Sequence, residues 1–138
     1  MLKGFSIHLG TTTNNMAKLE AIRFGLNLAW NLGFKRIIQI DSTLVMQWLT
    51  HDGAYMPQLY VLINDCRSFI TRKWIVLPAH IYWEANGVAD ELAKKGNLQM
   101  DRIFVYESCS SFLYKKYFRD VCQMNTLRKC YVTNYLLF

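Results

Sequence analysis

Two aspartates and one short polar run occupy positions where an α/β protein keeps its chemistry. Asp41 closes a short hydrophobic stretch, residues 36–40, that reads as a buried strand. Open α/β sheets place their sites at the carboxyl ends of such strands. Asp90 falls in the first turn of a later helical segment, one helical turn beyond Asn86. The run Thr12-Thr13-Asn14-Asn15 precedes a long helical segment. Small polar side chains and unsatisfied N–H groups at a helix start can hold a phosphate. Each position also has a purely structural reading: an aspartate after a strand can cap the next helix, and one in a first turn complements the helix dipole.

The elements that must hold these residues follow from the hydropathy pattern. Residues 2–10 read as a strand, with Phe5, Ile7 and Leu9 alternating with Gly4, Ser6 and His8. A helix follows in which Met16, Leu19, Ile22, Leu26 and Ala29/Trp30 recur at helical spacing, and Gly33 stops it. After the strand that ends on Asp41, Ser42 can cap a second helix carrying Leu44, Val45, Trp48 and Leu49. His51-Asp52-Gly53-Ala54 breaks that helix, and Pro57 suits the first turn of a third, through about Thr71. Residues 74–83 are extended but interrupted at Pro78, which a central strand does not hold. Residues 86–95 form another helix, with Val88, Leu92 and Ala89/Ala93 inward and Gly96 ending it. This order predicts an α/β layer fold. Beyond about Gln99 the pattern is unreadable, with Tyr114-Lys115-Lys116-Tyr117-Phe118-Arg119 mixing rings and cations.

Composition narrows the partners. With 138 residues, 52% hydrophobic and 19% charged, the chain is a folded domain and not a disordered one. A formal charge of +6 and a pI near 9.2 favour an anionic partner, of which nucleic acid is the commonest. Cys66, Cys109, Cys122 and Cys130 have no metal-ligand spacing and read as reduced thiols of an intracellular protein. No secretory signal opens the sequence and no apolar window is long enough to span a membrane.

Three phrases carry a resemblance. Thr12-Thr13-Asn14-Asn15-Met16-Ala17-Lys18-Leu19-Glu20-Ala21 is similar to T-x-N-x-A-E-L-x-A, Asp41-Ser42-Thr43-Leu44-Val45 to D-S-x-x-V, and Glu84-Ala85-Asn86-Gly87-Val88-Ala89-Asp90-Glu91-Leu92-Ala93 to E-x-N-x-x-A-D-x-L-A. These are signatures of the ribonuclease H type 1 domain, in the plant and retroelement subgroup, whose C-terminal continuation resembles Cys109-Ser110-Ser111-Phe112-Leu113. The resemblance covers roughly residues 4–97 and implies a mixed sheet flanked by helices. It implies endonucleolytic hydrolysis of the RNA strand of an RNA–DNA hybrid. Two Mg²⁺ ions, about 4 Å apart, would hold the attacking water and the leaving oxygen. It also implies four acidic metal ligands, of which Asp41 matches the third and Asp90 the fourth. Thr12, Thr13, Asn14, Asn15 and Asn86 match positions expected to touch nucleic acid, an RNA–DNA hybrid or RNA.

Two departures from the pattern bear on activity. The second ligand is the glutamate of A-E-L, and Lys18 stands there. Ammonium for carboxylate changes the local charge by two units. At about 4 Å and an effective dielectric near 20, each unit is worth about 4 kcal/mol before desolvation and salt. Glu20 lies about 200° further round the helix and points away. Lys18 could instead take a metal's place as a fixed cation facing phosphate. The first ligand belongs to a strand that, with a second, should precede Leu2, so the resemblance implies a domain lacking its first two strands. Either the chain is a fragment or decayed gene product, or its remaining strands meet differently, or the tail fills in. The organisation expected is a partial domain over residues 1–99 and an extension of uncertain fold over 100–138.

Other candidates have plain readings. His80 could be the histidine that helps product or proton leave, or a strand histidine, the second being the better fit to its place before Glu84. Trp74, Tyr82 and Trp83 could stack on bases or fill a core. Lys115, Lys116 and Arg119 could grip phosphates or be a solvated face. The functions weighed are thus a hybrid nuclease of little or no activity, a non-catalytic nucleic-acid-binding module (a pseudoenzyme), and a non-functional fragment. Lys18→Glu alone is expected not to restore hybrid cleavage in a Mg²⁺ assay, and hydrolysis recovered by that single change would contradict the ligand reading.

Overall fold

A computed structural model describes residues 3–34, 36–40, 43–51, 56–73, 75–80 and 87–127, with backbone alone for 36–40, 75–80, 121 and 123–127. In chain order the elements are β1 (Gly4–Ile7), α1 (Asn14–Asn31), β2 (Arg36–Ile40), α2 (Thr43–Thr50), α3 (Tyr60–Ile70), β3 (Ile75–His80), α4 (Gly87–Leu98), β4 (Ile103–Tyr106) and α5 (Tyr114–Leu127). Parallel and antiparallel ladders both occur, so the protein is mixed α/β as its pattern predicts. The elements gather into two compact units, β1 with α4, β4 and α5 in one, and α1, β2, α2, α3 and β3 in the other.

In the second of these units α1 is the spine. Thr13 caps it, its Oγ1 accepting the Met16 N–H at 3.2 Å. Leu19, Ile22, Gly25, Leu26 and Ala29 form its buried face. The helix stops at Leu32, and Gly33 follows at φ 75°, the left-handed turn that favours glycine. Trp30, expected on the inner face, is exposed instead, and the Arg72 guanidinium lies over its ring at 5.0 Å. α1 packs on α3, where Leu62, Ile63 and Cys66 are buried, and α2 adds Val45, Trp48 and Leu49. Arg67 of α3 donates to the Trp48 carbonyl at 2.5 and 3.0 Å and to that of His51 at 2.7 Å. It thereby satisfies carbonyls at the end of α2, which has no basic residue in its own last turn. Pro57 opens a 3-10 turn, Pro57–Leu59, and α3 proper starts three residues later than its first-turn proline predicts.

Pro78 does not end the extended segment. β3 runs parallel to β2 with Arg36, Ile37 and Ile38 opposite Ile75, Val76 and Leu77, and then Ile40 opposite His80. β3 therefore uses one residue more than β2 over that step. A bulge is where a sheet can accept a proline, which has no N–H for the ladder.

The first unit is built around close backbone approach. α4 continues through Gly96 to Leu98, so Gly96 is not the helix stop its type predicts. A Cβ at residue 96 would lie 2.5 Å from the Ile7 carbonyl oxygen, and His8 Nδ1 donates to the Gly96 carbonyl at 3.0 Å. Only glycine lets helix and strand meet at that distance. The buried face of α4 is Gly87, Leu92 and Gly96, while Ala93, expected inward, is exposed. At the other end of β1, a Cβ at Gly4 would lie 2.9 Å from Leu92 Cδ1.

The tail beyond residue 99, whose pattern is unreadable, supplies β1 with its ladder. β4 pairs antiparallel with β1, Gly4 to Ile7 opposite Tyr106 to Ile103. Gln99 locks the return: its side chain contacts Ser6 Oγ at 2.5 Å and donates to the Ser6 and Asp101 carbonyls at 3.2 and 2.8 Å. α5 then packs on α4. Its Asp120, fully buried, accepts the Val88 N–H at 2.7 Å and so caps α4 from outside its own sequence.

Gly96→Ala is expected to destabilise the protein by about 1–3 kcal/mol, since the added methyl meets backbone that must shift. A urea midpoint equal to that of the parent chain would show that α4 does not press on β1.

Candidate functional site

The start of α1 and the two residues before it hold five of the residues singled out by sequence. Thr12, Thr13 and Asn14 are exposed, and Asn15 and Lys18 are half-buried. The Thr13 hydroxyl is committed to capping. No acidic side chain lies in the first turn of α1, so the helix offers the positive end of its dipole no carboxylate of its own. Helical side chains lean toward the N-terminus, which directs Lys18 at the same end. The polar run, the leading N–H groups and Lys18 thus all belong to the N-terminal end of α1, the end of a helix whose donors suit an anion.

Glu20 does not compensate for Lys18. Arg23 grips its carboxylate through Nη2 at 2.7 Å and Nε at 3.1 Å, and Arg23 Nη1 reaches Asp65 at 3.8 Å. The hydrogen bond to Glu20 is the main reason the Arg23 pKa is raised. The acids of this part of α1 and α3 are therefore organised around an arginine. Beneath them the Cys66 thiol, fully buried, donates to the Leu19 carbonyl at 3.6 Å. Burial pushes that thiol up from an ordinary 9.0 to about 12.

Asp90 belongs to the other unit. It sits exposed in the first turn of α4, where Lys94, one turn on, holds its Oδ2 at 2.6 Å. The same pairing raises the Lys94 pKa. Asp41 and Asn86 lie outside the described residues, as do Trp74, Tyr82, Trp83 and Glu84. His80 ends β3 opposite Ile40. Among the described residues no three His, Cys, Asp or Glu side chains are grouped so as to hold a metal ion. No helix among them is long and apolar enough to cross a membrane.

Two participants lie outside the residues singled out by motif. Lys94 is legible from its four-residue spacing to Asp90. Asp120 has no such signal, because its partner Val88 is 32 residues away in sequence.

Against this geometry the comparisons with known proteins are direct. The reverse transcriptase-like family matches residues 2–96, a span that includes positions 18, 41 and 90. The chain belongs to that family. It is a ribonuclease H-like domain of plant type, as its three phrases imply. A protein of Arabidopsis thaliana that carries the provisional name of ribonuclease H protein is 32% identical over 91 residues. That alignment takes in 65% of this chain and 15% of the plant protein. No solved structure matches the chain.

The raised Cys66 pKa has a consequence for stability. A thiol whose folded pKa exceeds its unfolded value stabilises the fold fully below the unfolded value, and that contribution is lost as pH climbs through the folded one. Stability is expected to decline between about pH 9 and pH 12, more steeply than in Cys66→Ala measured alongside by denaturant titration. Equal slopes in the two chains would contradict the burial of this thiol.

Proposed function

We propose that this ribonuclease H-like domain binds RNA–DNA hybrid or RNA and does not cleave it. The observation that carries this reading is Lys18, an ammonium on α1 where the resemblance calls for a metal-binding glutamate. Two hard divalent cations are held by clustered oxygen donors. An ammonium in that cluster opposes them by several kcal/mol, and the nearest acid on the helix, Glu20, is taken by Arg23. The residues present therefore do not fit a pair of Mg²⁺ ions, and no hydrolytic step runs through them. The Asp90–Lys94 pair adds little, since both side chains are exposed and solvent screens their attraction. Position 18 decides the chemistry.

What the residues can do is hold a backbone. Thr12, Asn14 and Asn15 with the leading N–H groups of α1 donate to phosphate or to 2′-hydroxyls, and Lys18 supplies the charge. Preference for hybrid or RNA over DNA would come from 2′-hydroxyl contacts across a minor groove, which is how shape readers of A-form duplexes work. The net charge of +6 favours the encounter. Asp41 and Asn86 enter this reading through the motif match alone.

The experiment pairs a hybrid-cleavage assay, in Mg²⁺ and in Mn²⁺, with a hybrid-binding titration over a range of salt. Binding that weakens steeply with salt and no cleavage is the result expected. Cleavage that disappears in Asp90→Asn would make the domain a working nuclease.

A further inference from the structure

The most distinctive unassigned surface lies on α5. At 3.6 residues per turn, Tyr114, Phe118, Lys115 and Arg119 fall within one arc of about 140°. All four are exposed, Phe118 to 63% and Tyr114 to 52%. The opposite side carries Leu113 and Asp120, both buried, so the helix presents two rings and two cations outward and its acid inward. Neither Lys115 nor Arg119 has a carboxylate within ion-pair distance among the described residues. Phe118 is braced edge-on by Tyr117, ring centroids 6.0 Å apart, which limits the freedom lost on stacking. Arg119 leans toward the start of α4, where a Cβ at Gly87 would lie 2.5 Å from its Nη2. It thus adds positive charge beside the positive end of a helix, offset in part by Asp120 from the buried side.

We infer that this arc of α5 binds an unpaired nucleic-acid strand, the bases stacking on Tyr114 and Phe118 and the phosphates pairing with Lys115 and Arg119. Single strands are held elsewhere by this combination of rings and cations, because every base has a π-face and every linkage a charge. The two rings stand one helical turn apart, as do the two cations, and residues at that spacing lie about 5–6 Å from one another. A protein partner anchored on the rings would meet two cations and no acid, so it is the less complementary occupant. The inference rests on the nucleic-acid reading of the domain and adds to it a second contact, for strand that runs beyond a paired segment.

The test uses the whole chain and labelled single-stranded RNA and DNA of about 12 nucleotides, a length within the range that stacking platforms cover. Lys115→Gln with Arg119→Gln is expected to weaken binding roughly tenfold and to lower the salt slope by about 1.4, two phosphates' worth for a single strand. Tyr114→Ala and Phe118→Ala should each cost about fivefold or more with the slope unchanged. All four side chains are exposed, so unfolding midpoints should stay at the parent value and separate lost binding from lost fold. If these variants bind single strands as the parent does while Lys18→Ala weakens hybrid binding, the α5 surface is refuted and the function proposed above stands. If the parent chain binds no nucleic acid, both fall. Should the ring variants instead turn a dimer into a monomer in sedimentation, with nucleic-acid affinity untouched, the arc is a contact between copies and the inference is overturned.

Discussion

The first unit is organised by the passage of α4 across β1, where Gly96 lies against the Ile7 carbonyl. That approach leaves no room for a side chain, so it fixes the depth at which the helix sits, and Leu92 fixes its rotation by filling the space beside Gly4. The opposite end of α4 is held by Asp120, which takes the Val88 N–H from a helix 32 residues on. Asp90 lies between these two anchors, exposed yet carried on a helix held at both ends. The tail beyond residue 99 is thus part of what positions a residue matched to the family's site.

Electrostatics separates what this domain inherits from what it can perform. The phrases around Thr12, Asp41 and Asp90 are those of a family whose signature chemistry depends on crowding carboxylates until divalent cations are needed to hold them together. On the function proposed above, Lys18 in place of one such group turns the preference of the site from cations toward anions. Among the described residues of the second unit, Arg23 grips Glu20 and reaches Asp65, so Glu20 is already engaged. In that proposal a nucleic-acid backbone would answer the charge of Lys18 directly, with no ion between.

Helices α1 to α4 and strand β1 are legible in the sequence through their apolar spacing and punctuation and β2 as a short apolar run, whereas α5 lies in the tail whose pattern is unreadable. Thr13 as a cap and Gly33 as a stop follow from side-chain chemistry alone. Gly96 misleads for a physical reason, since a glycine late in a helical pattern marks an end or a close approach, and only the partner backbone distinguishes them. Pro78 likewise signals a break in a ladder without saying that the strand resumes after a bulge. β4 is invisible because Ile103-Phe104-Val105-Tyr106 is apolar at every position and lacks the alternation of a half-buried strand. Of the site, the motifs give candidate residues and an expectation for position 18, while the Arg23 grip on Glu20 and the capping by Asp120 depend on side-chain contacts that no motif encodes.

The pairing of β1 with β4 bears on how the chain reaches its fold. Ile7 and Ile103 are ladder partners, so about 95 residues must be looped out before that sheet exists, at an entropic cost of about 4 kcal/mol beyond the constant term. During synthesis β1 leaves the ribosome long before β4, and the edge it offers to β4 stays unpaired until then. Elements α1 to β3 meanwhile make mostly nearer contacts and can assemble first. Registry between β1 and β4 then becomes the slow closing event, and the interval before it is when these strands are most open to mispairing with another nascent copy.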